Sequence, residues 1–219
     1  MRQAIELALE AIALTVGGLL PIVNPFSTAP LFVSLSAGFD AKRRNQQAFL
    51  ACLYAFMLLV VFLLIGSAII DFFGISIPGI RITGGLIISI IGLRMVFPAA
   101  QVAPDAAQPP QSMPDIAFAP IAMPSLAGPG SIAVVLTAAA YIKGLHPNDW
   151  GLIYIAVILG MAITLAFCFL VLRASSAMVR FLGPAGIDAM ARIFGFLLIC
   201  IGMQFALTGI GDFYGLKHS

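Results

Sequence analysis

The sequence predicts an all-α integral membrane protein of six transmembrane helices. They form two inverted three-helix repeats, with the first helix of each repeat broken at prolines. Three observations carry this expectation. Hydrophobic residues make up 61% of the chain and charged residues only 9%, with a mean hydropathy of +1.09. A soluble domain is about a quarter charged and needs that charge to cover its water-facing surface. A proline-interrupted stretch, Pro21-Ile-Val-Asn-Pro25-Phe-Ser-Thr-Ala-Pro30, recurs 99 residues later as Pro120-Ile-Ala-Met-Pro124-Ser-Leu-Ala-Gly-Pro129, with the same proline spacing. Gly85 and Gly92 recur 110 residues later as Gly195 and Gly202, and the turn Phe-Phe-Gly74 with Pro-Gly79-Ile80 has a counterpart in Phe-Leu-Gly183 with Ala-Gly186-Ile187. Similarities in the same order divide the chain into a first repeat at 1–97, a connector at 98–115 and a second repeat at 116–219. Three spans are an odd number, so the second repeat enters the membrane from the opposite side.

The spans follow in order. Residues 5–35 form one apolar run, too long for a straight crossing, since about 20 helical residues span the hydrocarbon core. Proline has no N–H to donate and clashes with the preceding turn, so this run is a broken helix. Its start does not read as a signal peptide. Only Arg2 precedes Glu6 and Glu10, and the apolar run then continues beyond the usual length. Residues 40–47 form a polar loop with the densest basic cluster, Lys42, Arg43 and Arg44. The second span is 49–73, a Gly/Pro turn occupies 74–79, and the third span is 80–97. The connector holds five prolines and no Lys or Arg, a composition suited to linking rather than packing. The fourth span, 116–141, carries the second break. A short loop at 143–149 leads to the fifth span at 150–172, where Trp150 and Tyr154 suit an interfacial anchor. An amphipathic connector at 173–192, a sixth span at 193–210 and a short tail complete the chain.

Orientation follows from Lys and Arg. Lys42, Arg43, Arg44, Arg94, Arg173, Arg180 and Arg192 fall on one side; Arg2, Arg81, Lys143 and Lys217 fall on the other. The richer side is expected in the cytoplasm and both termini outside.

The two breaks are the expected site. In hydrocarbon, an unwound backbone persists only where protein or a wet cavity covers it. Broken helices offer N-terminal amides to anions and unwound carbonyls to cations, which suits a small zwitterion. Asn24, Pro25, Ser27 and Thr28 are the candidates from the first break; Ser125, Gly128, Gly130 and Ser131 are those from the second. The alternative is that these hydroxyls serve only the kinked backbone and these glycines only helix packing. Arg94 and Gln204, which share the 110-residue offset, are candidates for coupling or gating. Arg94 is also close enough to a span end to snorkel to the headgroups. The glycines at 85, 92, 195 and 202 lie seven apart within each half, on one face of each helix, as close-packing residues do.

Other chemistry has little support. Cys52, Cys168 and Cys200 lie in separate spans without metal-ligand spacing. No Ser/His, His/Glu or paired-Asp constellation favours an enzyme, and no basic block favours nucleic acid. No catalytic residue, metal ligand or cofactor is therefore assigned. In the absence of an ATP-binding loop, a Na+ or H+ gradient would supply energy.

At Asn24-Pro25, Pro30-Leu-Phe and Ala127-Gly128-Pro129-Gly130-Ser131, the chain resembles the MarC family of bacterial inner-membrane proteins. The likeness extends over nearly the whole chain. It departs from the family pattern at Phe26 and Ser27, where a Gly-containing segment is usual. The resemblance implies a multi-pass inner-membrane location, and some relatives are similar to sodium-coupled carriers of small neutral amino acids. The expectation is a secondary transporter that moves a small polar solute, a neutral amino acid, across the inner membrane by alternating access, its partners being that solute, the bilayer and a second copy of the chain. A solute or water channel and a non-transporting membrane scaffold or regulatory protein are the alternatives.

Overall fold

A computed structural model describes residues 2–98, 115–145 and 150–216. Every regular element described is helical. Helix α1 is Arg2–Val23, α2 Pro25–Leu35, α3 Ala41–Phe73 and α4 Ile77–Val96. A π-wound segment, α5, covers Ala117–Leu126, and α6 is Pro129–Leu145. The last helical stretch, Trp150–Phe213, breaks at Gly183, giving α7 Trp150–Gly183 and α8 Ala185–Phe213. Among the described residues five helices are long and apolar enough to cross a membrane, and α5 with α6, bent by 62° at their break, make a sixth if the pair is counted as one span. Most of the 98–115 connector and part of the 143–149 loop lie outside the described residues.

The first break falls at Asn24, which adopts a left-handed conformation (φ 41). Among non-glycine residues, asparagine tolerates this region best, because its short amide can bond locally. Its Oδ1 accepts the Ser27 N–H at 3.3 Å and caps α2. Pro25 then occupies the first turn, where a missing N–H costs nothing. In the second break, Ala119 (φ −125, ψ 127) and Met123 (φ −127, ψ 124) are extended. Both precede a proline, whose ring disfavours the helical region for the residue before it.

Two boundaries differ from the sequence expectation. The polar stretch at 40–47 is not a loop beyond Asp40: Ala41 to Gln47 forms the first turns of α3, with Asp40 Oδ1 accepting the Arg43 N–H at 3.1 Å. A 33-residue helix is about 50 Å long at 1.5 Å per residue, well beyond a hydrocarbon core of about 30 Å. Likewise the amphipathic stretch after Leu172 continues α7 to Gly183. Hydropathy reports where the solvent changes, whereas the backbone keeps its helix into the headgroup region. Gly74 (φ 62, ψ 28) ends α3 in the left-handed conformation that glycine adopts without strain, whereas α7 ends at Gly183 (φ 64, ψ 177) in an extended positive-φ conformation open essentially to glycine alone.

The core gathers around α3. Leu59 and Leu63 are fully buried there, with Ile121 and Leu126 of α5 and Leu172 of α7 in the same cluster. Ala48, Ala51 and Ala55 are also fully buried and leave room for neighbouring helices to approach. Gln47 Oε1 accepts the Ile116 N–H at 3.0 Å, tying the start of α5 to α3 across 69 residues. The opposite face of α3 presents Val61, Leu64 and Ile65 outward, as lipid contact requires.

Helices α4 and α8 are antiparallel and meet along glycines. A methyl at Gly92 would stand 2.5 Å from the Gly195 carbonyl oxygen, and one at Gly202 would stand 2.6 Å from that of Gly85. Seven residues further on, a methyl at Gly209 would stand 2.9 Å from the Pro78 carbonyl oxygen. The seven-residue glycine spacing thus marks a packed seam. Beyond its end, Arg81 pairs with Asp212, and Tyr141 donates its hydroxyl to the same carboxylate at 3.1 Å. The Arg81 guanidinium lies 4.1 Å over the Tyr141 ring. This clasp joins the start of α4 to the ends of α6 and α8.

Candidate functional site

The two breaks line one cavity of about 500 Å³. From the first come Asn24, Ser27 and Thr28; from the second come Ser125, Gly128, Gly130 and Ser131. Helix α4 forms the remaining wall with Ile87, Ile90, Ile91 and Arg94, one continuous helical face. A volume in this range accommodates a small molecule.

Each hydroxyl is already engaged as a donor. Ser27 Oγ and Thr28 Oγ1 donate to the Asn24 carbonyl at 3.1 and 3.4 Å. Ser125 Oγ donates to the Pro120 carbonyl at 2.9 Å, and Ser131 Oγ lies 3.0 Å from the Gly128 carbonyl. Proline at 124 has no N–H to offer the carbonyl four residues back, and the Ser125 hydroxyl reaches that carbonyl instead. The hydroxyls therefore do serve the kinked backbone. A hydroxyl that donates its proton still has lone pairs to offer.

Asn24 is buried, and its Nδ2 points to Met95 Sδ at 3.6 Å, so it links the first break to α4. Gly130 marks where the halves touch. A methyl there would come 2.9 Å from Ile88 of α4 and 3.3 Å from Ile22 of α1. Gly128 would clash with the Pro124 carbonyl at 2.5 Å. Arg94 is exposed and lines the cavity.

Two candidates lie elsewhere. Pro25 is buried in the first turn of α2 and does not line the cavity. Gln204 is on an exposed face of α8 and is absent from the lining; its side chain is directed away from the glycine seam that the 110-residue offset also marks. Sequence reasoning missed Ile87, Ile90, Ile91 and Met95. The helical spacing back from Arg94 was the available signal for the three isoleucines. Among the described residues no group of three or more His, Cys, Asp or Glu side chains could hold a metal ion.

The arrangement defines a multi-pass membrane protein with a mainly apolar cavity, carrying a few polar groups, between two interrupted helices. A family model described as "MarC family integral membrane protein" matches residues 9–214. The chain belongs to the MarC family. It is 41% identical over 220 residues to the UPF0056 inner membrane protein MarC of Salmonella typhimurium, covering 95% of this chain and 98% of that protein. The proteins of the same name from Escherichia coli O157:H7 and Citrobacter koseri are 39% and 38% identical over 217 residues, with the same coverage. No solved structure matches. These relatives and the apolar helices make the chain a multi-pass inner-membrane protein.

Proposed function

We propose that this protein is a secondary transporter that moves a small polar solute, a neutral amino acid, across the inner membrane by alternating access. The observation that carries the reading is the shared cavity. Two helix interruptions, far apart in sequence, border the same cavity, whose mainly apolar wall carries the polar groups of both breaks and Arg94. An unwound backbone is costly away from water, and a solute site is the use that transporters make of it.

Further features support two inverted halves that rock about this site. Gly85 meets Gly202 while Gly92 meets Gly195, the reciprocal pattern that a two-fold axis across antiparallel helices generates. Helices α2 and α6 both begin at the cavity. The excess of Lys and Arg orients the Arg94 end toward the cytoplasm and the termini toward the periplasm. A Na+ or H+ gradient would drive the cycle.

Uptake by proteoliposomes tests this reading. Radiolabelled glycine, alanine and serine are offered under imposed Na+ and H+ gradients. The expected result is saturable accumulation that collapses with the gradient. A fast, unsaturable flux would favour a channel, and the absence of any flux would favour a non-transporting scaffold.

A further inference from the structure

The charge and hydrogen-bonding state of the cavity narrow what it can hold. Among the described residues that line it, Arg94 is the one charged side chain, and no Asp or Glu accompanies it. The ion pairs of Arg81 with Asp212 and of Arg192 with Asp188 do not involve Arg94. Nor does Arg94 have a hydrogen-bond partner among the described residues. Its guanidinium fork is thus free to receive a carboxylate in two parallel bonds, a geometry that lysine cannot reproduce.

The other polar groups have the opposite character. Ser27, Thr28, Ser125 and Ser131 commit their hydroxyl protons to backbone carbonyls. Toward a ligand they act as acceptors only. Asn24 spends its Oδ1 on the Ser27 N–H and its Nδ2 on Met95. One fork of donors and a set of hydroxyl acceptors therefore share one cavity, beside an apolar wall of Ile87, Ile90 and Ile91.

We infer that Arg94 anchors the carboxylate of a zwitterionic solute, while the hydroxyl oxygens at the two helix breaks receive its ammonium group. This inference rests on the reading of the cavity as a transport site and assigns the groups that recognise the solute. It also sets limits on specificity. A cationic amine without a carboxylate meets the Arg94 charge with no acid to offset it. A second carboxylate on the solute meets hydroxyls that have no proton left to give. A plain monocarboxylate satisfies Arg94 and leaves the hydroxyl acceptors unused.

The test measures binding to the purified full-length protein in nanodiscs by titration calorimetry, with alanine, alaninamide, propionate and aspartate as probes. Alanine is expected to bind at least about tenfold more tightly than any of the other three, the scale set by one charged hydrogen-bonded group. Arg94→Gln is expected to weaken alanine binding by about 10- to 100-fold. Arg94→Lys is expected to recover only part of it, and ligand-free thermal stability should be unchanged in both. An arginine that only snorkels to headgroups would allow Arg94→Gln to bind alanine normally, which overturns the inference and leaves the transport reading standing. Propionate or alaninamide binding as tightly as alanine overturns it as well. Failure of alanine to bind overturns it, and in that case saturable uptake of any other solute would preserve the transport reading.

Discussion

Asn24 concentrates the physical demands of the first break in one side chain. It holds a positive φ, caps α2 through Oδ1 and reaches Met95 through Nδ2. Glycine would meet the conformational demand alone. The expected result is that Asn24→Gly keeps thermal stability within a few tenths of a kcal/mol of the parent, because glycine is a tolerable cap with no strain. Asn24→Leu loses the cap at about 1 kcal/mol and adds strain of about 1–2 kcal/mol in the left-handed region. Thermal unfolding of the purified protein in detergent checks the order: parent and Gly close together, Leu well below. Gly130 makes a different demand, for space. Ile22 and Ile88 crowd it from the two sides, so the second break approaches the first only because no side chain stands between them.

Among the elements, the pairing of α4 with α8 depends on the glycine seam. Backbone contact through glycine carbonyls brings the helices close, and association between helices in lipid relies on such packing rather than on the hydrophobic effect. Gly92→Leu would drive a side chain into the Gly195 carbonyl and Ile199. Its expected cost is at least about 1–3 kcal/mol of overpacking, and rigid backbone on the opposing side leaves little room to relax. Gly17→Leu is the control, since a methyl there meets nothing within 4 Å. Size-exclusion yield and melting temperature should fall sharply for Gly92→Leu and remain at parental values for Gly17→Leu. The clasp of Arg81, Asp212 and Tyr141 binds three elements at the far end of α4 from Arg94.

For the whole molecule, what the sequence disclosed and what it withheld follow from the range of each signal. Six apolar stretches and two proline clusters are local features, and the spans and breaks were legible from them. The seven-residue glycine spacing was also legible, because a helix face repeats in sequence. The partner of a residue across the bundle has no such local trace. Arg81 and Asp212 are 131 positions apart, and nothing in either neighbourhood names the other. Gln47 looked like part of a polar loop, yet it holds the start of α5. The helical extent of 41–47 was hidden because polarity marks the membrane boundary, whereas the cap at Asp40 marks the helix boundary. Likewise the 110-residue offset that predicted the glycine seam did not bring Gln204 into the cavity with Arg94, since pseudo-equivalent backbone positions need not turn side chains to the same space.

The central claim is that both breaks face one cavity that holds one solute. Cysteines placed singly at Ser27 and Ser125, after replacement of Cys52, Cys168 and Cys200, give the most direct measurement of it. The rate of alkylation by a small hydrophilic maleimide is followed with and without alanine. The account predicts that both cysteines react and that alanine slows both with the same half-saturating concentration. A cysteine that never reacts, or alanine protection at one break without the other, would contradict it.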